Sequence, residues 1–259
     1  MRSNSVRDRW AGRESVVSAW LAIGNTYVAE MAGWSGVDCV TVDLQHGMID
    51  MQTMMGMLQA ISSTPAAPFV RVPACDPSLL MKVLDCGAYG VICPMIENSA
   101  QTRLFIEATR YPPAGTRSFG PARGLLYGGS DYLDNADRSI VRLAMVETAL
   151  GVTALEDICS VDGLDGVFVG PSDLGLSLGK GASIEPSDPA VTSAIGRCRA
   201  VAAKHGLHAG IFCSSGTVAA SRSAEGFDFL VPNSDANLFK RTIAAEVSAA
   251  RQRATNRPM

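Results

Sequence analysis

Asp38-Cys39-Val40-Thr41-Val42-Asp43-Leu44-Gln45-His46-Gly47 is a short, almost unbroken apolar run that closes on an acid, an imidazole and a glycine. A β-branched run of this length with little polar alternation predicts a strand buried on both faces, as in a parallel sheet covered by helices. Seven more runs of the same kind occur, at 16–23, 68–73, 89–94, 140–147, 165–170, 207–213 and 227–232. Helical patterns lie between most of them: 77–86, 99–110, 148–159, 188–205 and 217–225. Asp76-Pro77 and Asp188-Pro189 each set a proline just after an N-cap acid, which marks a helix start. Eight strands alternating with helices in a chain of 259 residues predict a TIM (β/α)8 barrel, one domain over 1–259, with 1–15 as an N-terminal arm or short helix on the barrel floor. The competing architecture, a doubly wound open sheet, calls for a glycine-rich turn after the first strand. Here that turn is Gly24-Asn25-Thr26, with no G-x-G-x-x-G.

Composition narrows the function classes. Apolar residues make up 47% of the chain and aromatics 6%, so a core of Ala, Val, Leu and Ile is expected. A net charge of −3 argues against a nucleic-acid partner, because neutralising phosphates requires a basic face. No run is long enough for a membrane span. The seven cysteines include no C-x-x-C pair and no zinc spacing, so they read as buried thiols in a reducing, cytoplasmic setting. Four arginines near the start hint at a transit peptide, but Asp8 and Glu14 interrupt the pattern.

In a barrel of this kind the chemistry gathers at the C-terminal ends of the strands. That rule selects His46 after the second run, Arg71 in the third, Glu147 at the end of the fifth and Asp173 after the sixth. Two carboxylates can ligate a divalent cation and leave positions for water and substrate, the usual arrangement for Mg²⁺ or Mn²⁺. His46 is then an adjacent proton carrier. Arg71 inside an apolar strand needs a partner: a ligand carboxylate suits its planar fork, and an internal ion pair with Asp43 or Glu147 is the plainer alternative. Asp173 taken alone also fits a helix cap. His205 and His208 flank Gly206 at the start of the seventh run, the wrong end for catalysis, and read as structural. Lys82, Lys204 and Lys240 lie in helical patterns and Lys180 in a glycine-rich loop, so no strand lysine offers an imine mechanism. The stretch from Tyr111 to Asp137 is too long for an idle connector and is expected to serve a site or an interface. Within it Arg123 faces either an acidic aldehyde or solvent.

The residues Asp43-Leu44-Gln45-His46-Gly47, Val70-Arg71-Val72, Leu84-Asp85-Cys86-Gly87-Ala88, Arg110-Tyr111-Pro112-Pro113-Ala114-Gly115-Thr116-Arg117, Val146-Glu147-Thr148 and Val169-Gly170-Pro171-Ser172-Asp173 resemble, in order and spacing, the HpcH/HpaI family of metal-dependent pyruvate aldolases. The resemblance implies reversible cleavage of a 4-hydroxy-2-oxo acid to pyruvate, or a related 2-oxo acid such as hydroxypyruvate, and an aldehyde. The reaction would pass through an enolate stabilised by a divalent cation, with Mg²⁺ or Mn²⁺ expected and Co²⁺, Ni²⁺ or Zn²⁺ as alternatives. Glu147 and Asp173 would hold the cation, His46 would act as acid/base, and Arg71 with the Ser172 and Asp173 amides would bind substrate. The resemblance further implies a hexamer of three dimers, a last helix swapped between neighbours, and Asp85 acting in a neighbour's site. Many family members carry Glu where this chain has Gln45, and Gln where it has Met145. Both positions, with Asp43, are expected to adjust the site from beside it. The alternatives are a citrate-lyase-like CoA-ester lyase, an oxaloacetate decarboxylase on the same enolate chemistry, and a non-catalytic scaffold.

Overall fold

A computed structural model describes residues 1–255; the last four positions of the expected 1–259 domain lie outside the described residues. In chain order the elements are α1 (Ser5–Ala11), β1 (Val16–Leu21), α2 (Thr26–Gly33), β2 (Cys39–Asp43), α3 (Met51–Ile61), β3 (Ala67–Arg71), α4 (Pro77–Asp85), β4 (Gly90–Cys93), α5 (Ser99–Thr109), α6 (Ala122–Gly128) and α7 (Tyr132–Ser139). They continue with β5 (Val141–Val146), α8 (Ala149–Thr153), α9 (Leu155–Cys159), β6 (Gly166–Val169), α10 (Pro171–Ser177), α11 (Pro189–Lys204), β7 (His208–Cys213), α12 (Gly216–Ala224), β8 (Phe229–Pro232) and α13 (Asp235–Thr255). All eight strands pair in parallel and in sequence, and β8 returns to β1, closing the expected barrel.

Each apolar run of the sequence coincides with one strand and most overreach it at an end; β3 begins at Ala67, one residue before the 68–73 run. The hydrophobic signal persists into the first loop residue because that residue still packs, although the ladder has ended. The 148–159 pattern is broken at Ala154, so two short helices stand where one is expected. The 111–137 stretch, read as irregular, holds α6 and the start of α7. Its fixed point is Arg117, whose side chain is fully buried between the Tyr111 and Tyr132 rings at 4.4 and 5.6 Å. Helices α2 and α3 have no counterpart among the expected patterns, yet Asn25 and Asp50 cap them through side-chain oxygens.

Side chains alternate between the two faces of each strand. Outward residues such as Val40, Val42, Val70, Val91, Val167 and Val169 build an aliphatic layer with the helices. Inward residues form a second cluster in which Trp20, Phe69, Phe168 and Phe229 fill the lumen. Four aromatics thus fill the lumen, while the outer layer is mostly aliphatic. At the floor, α1 buries Val6 and Trp10, and Trp10 stacks on His208 at 3.7 Å. His208 Nδ1 lies 2.5 Å from Asp228 Oδ2, and His205 Nε2 lies 2.8 Å from Glu156 Oε2. Both histidines thus hold structure far from the upper rim. All seven cysteines are free.

Candidate active site

Strand parity places the functional side chains. Trp20, Asp43, Arg71 and Met145 are inward residues near the C-terminal ends of their strands, and register sets Asp43 directly beside Arg71. The two form a bidentate pair: Arg71 Nε donates to Asp43 Oδ1 at 2.9 Å and Nη2 donates to Oδ2 at 2.6 Å. The Trp20 indole N–H adds a bond to Oδ2 at 3.2 Å, and the Gln45 and His46 amides donate to Oδ1 at 3.0 and 3.3 Å. Burial alone would raise the Asp43 pKa, but the hydrogen bonds and charge of Arg71 outweigh it and hold the carboxyl below its ordinary value. The plainer sequence alternative for Arg71, an ion pair, is therefore present, with Asp43 and not Glu147 as partner. Nη1 is left over, with only the Met145 sulfur at 3.9 Å.

Glu147 follows β5 and is only 1% exposed. Its Oε1 accepts the Met95 backbone N–H at 3.0 Å, which fixes the carboxylate plane, while Oε2 is buried without a partner. Desolvation pushes its pKa up to about 7, against the Met95 bond and with help from the Asp173 charge. Leaving a buried carboxylate oxygen unpartnered costs on the order of 1–3 kcal/mol or more, so Oε2 calls for a counter-charge. Gly170 makes room for it: a Cβ there would stand 2.5 Å from Oε2 and 2.6 Å from the Met145 methyl. Asp173 lies in the first turn of α10 and lines the same space, while Gly170 is the residue at the cap position. Among the described residues no three His, Cys, Asp or Glu side chains converge. Two acids with an orphaned oxygen and open space suit a hard divalent cation that keeps water and substrate as its other ligands.

Asp173, His46, Arg71 and Met145 meet at a cavity of about 270 Å³. Ser172 lines it too, beside Trp20, Phe168, Phe212, Ile184, Ser234 and Asn237. Of those last six only Phe212, at the end of the seventh run, stands where the strand-end rule points. The signal for Trp20 was an aromatic in the first strand run; Ile184 carried none, since it sits in a Gly/Ser-rich loop.

A family model for "HpcH/HpaI aldolase/citrate lyase" matches residues 17–238. The chain belongs to the HpcH/HpaI aldolase/citrate lyase family. A hydroxypyruvate/pyruvate aldolase of Rhizorhabdus wittichii is 41% identical over 248 residues, covering 96% of this chain and 99% of that one. A 4-hydroxy-2-oxo-heptane-1,7-dioate aldolase of Salmonella arizonae is 34% identical over 251 residues, covering 96% and 94%. Among solved structures, an HpcH/HpaI family protein from Burkholderia cenocepacia J2315 matches with a TM-score of 0.89 and 30% identity, over 96% of this chain and 100% of that one.

Against this HpcH/HpaI framework, two expected residues lie elsewhere in their own subunit. Asp85 ends α4 at the opposite end of the barrel from His46, where Arg117 Nη2 donates to its Oδ1 at 2.9 Å. Arg123 faces neither a cavity aldehyde nor open solvent. It is half-buried at the barrel floor and donates to the Cys86 carbonyl at 2.6 Å and the Ser62 hydroxyl at 2.7 Å, because helix C-termini present unpaired carbonyls there. Gln45 does not line the cavity; its side-chain oxygen is buried without a partner.

Proposed function

We propose that the chain catalyses the reversible cleavage of 4-hydroxy-2-oxo acids into pyruvate, or a related 2-oxo acid such as hydroxypyruvate, and an aldehyde. It is a carbon–carbon lyase of the class II pyruvate aldolase type. The observation that carries this reading is the buried Glu147 with its unpartnered oxygen, which lies against Gly170 at the wall of the cavity that Asp173, Arg71 and His46 line. Glu147 and Asp173 would hold a divalent cation, Mg²⁺ or Mn²⁺ by the all-oxygen donor set, which supplies Lewis-acid stabilisation of the developing oxyanion. Arg71, locked by Asp43, presents Nη1 to the substrate's 2-oxo acid end without having to reorganise. The Ser172 and Asp173 amides at the start of α10 orient the substrate carboxylate.

His46 is the exposed base of the cavity. In cleavage it takes the proton of the 4-hydroxyl; the C3–C4 bond breaks, its electron pair stays on C3, and C4 becomes the aldehyde carbonyl. Protonation of C3 then gives the methyl group of pyruvate. Removing His46 is expected to lower kcat roughly 10²–10⁴-fold while calorimetric Mn²⁺ binding persists. Wild-type turnover by His46→Ala would remove the histidine from the mechanism. A cavity of about 270 Å³ without a basic cluster favours free 2-oxo acids over CoA thioesters.

The working unit is an oligomer, by this reading a hexamer of three dimers. α13 leaves the barrel with Leu238, Phe239, Ile243 and Val247 exposed along it. Tyr27 and Met31 on α2 and Trp34 at its C-cap lie exposed at helical spacing. A mostly apolar groove of about 350 Å³ opens between α2 and the start of α13. A swapped neighbouring α13 would cover these surfaces, and the same assembly would let Asp85 reach another subunit's His46. Phe239→Asp together with Ile243→Asp is expected to dissociate the assembly in light scattering and to lower turnover more than tenfold. A fully assembled double variant would contradict the swap. The seven unpaired cysteines suit the cytoplasm.

A further inference from the structure

The loop between α10 and α11, residues 178–188, is a pinned strap that contributes one residue, Ile184, to the cavity lining. At its first end Lys180 N donates to the Gly175 carbonyl at 2.8 Å, and Gly179 and Gly181 take φ of 71° and 82°, values that favour glycine. The approach there is close: a Cβ on Gly175 would stand 2.4 Å from the Gly181 carbonyl oxygen. Toward its other end the Lys180 ammonium lies 3.4 Å from Asp188, the cap of α11. In the middle, Glu185 reaches the end of β7. Its Oε1 accepts the Ser214 N–H at 3.0 Å and its Oε2 lies 4.0 Å from Arg222 of α12. Between these fixed points Ile184 is turned into the cavity, which Phe212 and Phe168 also line.

We propose that Ile184, held in place by Glu185, is a determinant of which aldehyde the site accepts, and that it selects short, uncharged aldehydes. The charges lining the cavity gather around Arg71, Asp43, His46 and Asp173, where the 2-oxo acid is read. Where the strap meets the end of β7, Ile184 and Phe212 are apolar; Ser172, Ser234 and Asn237 are the neutral polar groups of the lining. A distal carboxylate on the aldehyde would lose its hydration against Ile184 and Phe212, while Arg71, the arginine of the lining, is already paired with Asp43, a net cost. A branched chain would meet the Ile184 side chain, and a contact of one methylene or so in a pocket changes specificity by about 10–200-fold. Glu185 acts as a positioning residue: it touches no substrate but fixes the backbone that carries Ile184.

This inference rests on the aldolase reading, and the experiment separates the two. The assembled protein with Mn²⁺ is first assayed for exchange of the pyruvate methyl protons with deuterated solvent; absent exchange overturns the aldolase reading itself. Next, kcat/KM is measured with pyruvate and a series of linear, branched and ω-carboxylated aldehydes. The unmodified chain should prefer the short uncharged members at least tenfold over the carboxylated one. Ile184→Ala should raise the branched-to-linear ratio of kcat/KM about tenfold. Glu185→Ala should move that ratio the same way through the aldehyde KM, and Glu185→Gln, which keeps an acceptor for Ser214 N–H, should restore it. Unchanged ratios in both alanine variants, or a preference for the carboxylated aldehyde, would overturn the proposal.

Discussion

Glu147→Gln is expected to lower kcat/KM by roughly 10³-fold and, in the metal-free protein above neutral pH, to stabilise the fold. The two effects share one cause. Burial raises the Glu147 pKa from an ordinary value near 4.5 to about 7. Between those values the folded chain keeps a proton that the unfolded chain has released, so folding becomes less favourable as pH rises. The penalty is absent below about pH 4.5 and complete above about pH 7, where it amounts to on the order of 3 kcal/mol. Gln carries no charge and keeps an oxygen for the Met95 N–H, so thermal unfolding of the variant should be higher than wild type at pH 8 and equal to it near pH 4.5. Mn²⁺ should stabilise the wild-type chain at pH 8 and leave the variant unmoved. Loss of the cation's anchoring charge should cost several kcal/mol of transition-state stabilisation, roughly 10³-fold in kcat/KM. A variant that turns over normally, or one whose stability tracks wild type across this range, would mean that Glu147 is an ordinary core acid.

Asp43→Asn should be the most destabilising single change at the cavity. The Arg71 and Asp43 side chains are 8% and 3% exposed, and the amide would strand the guanidinium without its counter-charge. Removing one partner of a buried pair costs about 3–5 kcal/mol, which for a chain of this size lowers the melting temperature by roughly 10 °C. The gap between wild type and variant should close in acid. The Asp43 pKa is lowered in the folded state, so the pair's contribution is present above the ordinary carboxylate value and is lost as pH falls through the lowered one. Arg71→Met in the same chain should recover part of the stability but none of the activity. A denaturant titration of the two singles and the double would show this as a coupling energy; independent, additive losses would break the pair as an explanation.

Much of the fold was legible because buried parallel strands need continuous apolar runs, and eight of them stand out in this chain. The upper rim was legible for a related reason. A strand end is the only place where His46, Arg71, Glu147 and Asp173 can leave an apolar run and still reach solvent or a ligand. Helices α6 and α7 were not legible, since Arg117 organises that stretch by lying between two tyrosines brought in from residues before and after it. Arg123 misled for a similar reason: an arginine in a Gly- and Pro-rich stretch looks free until the helix C-termini beside it are seen.

The sequence by itself determined the strand count and the residue types at the rim, because apolar runs and the residues that end them are local properties of the chain. Only the tertiary structure decided that Asp43 and not Glu147 neutralises Arg71, that Gly170 clears space over the Glu147 oxygen, and that Ile184 lines the cavity. Those outcomes depend on which strands become neighbours and at what register, and closing the barrel is what sets both.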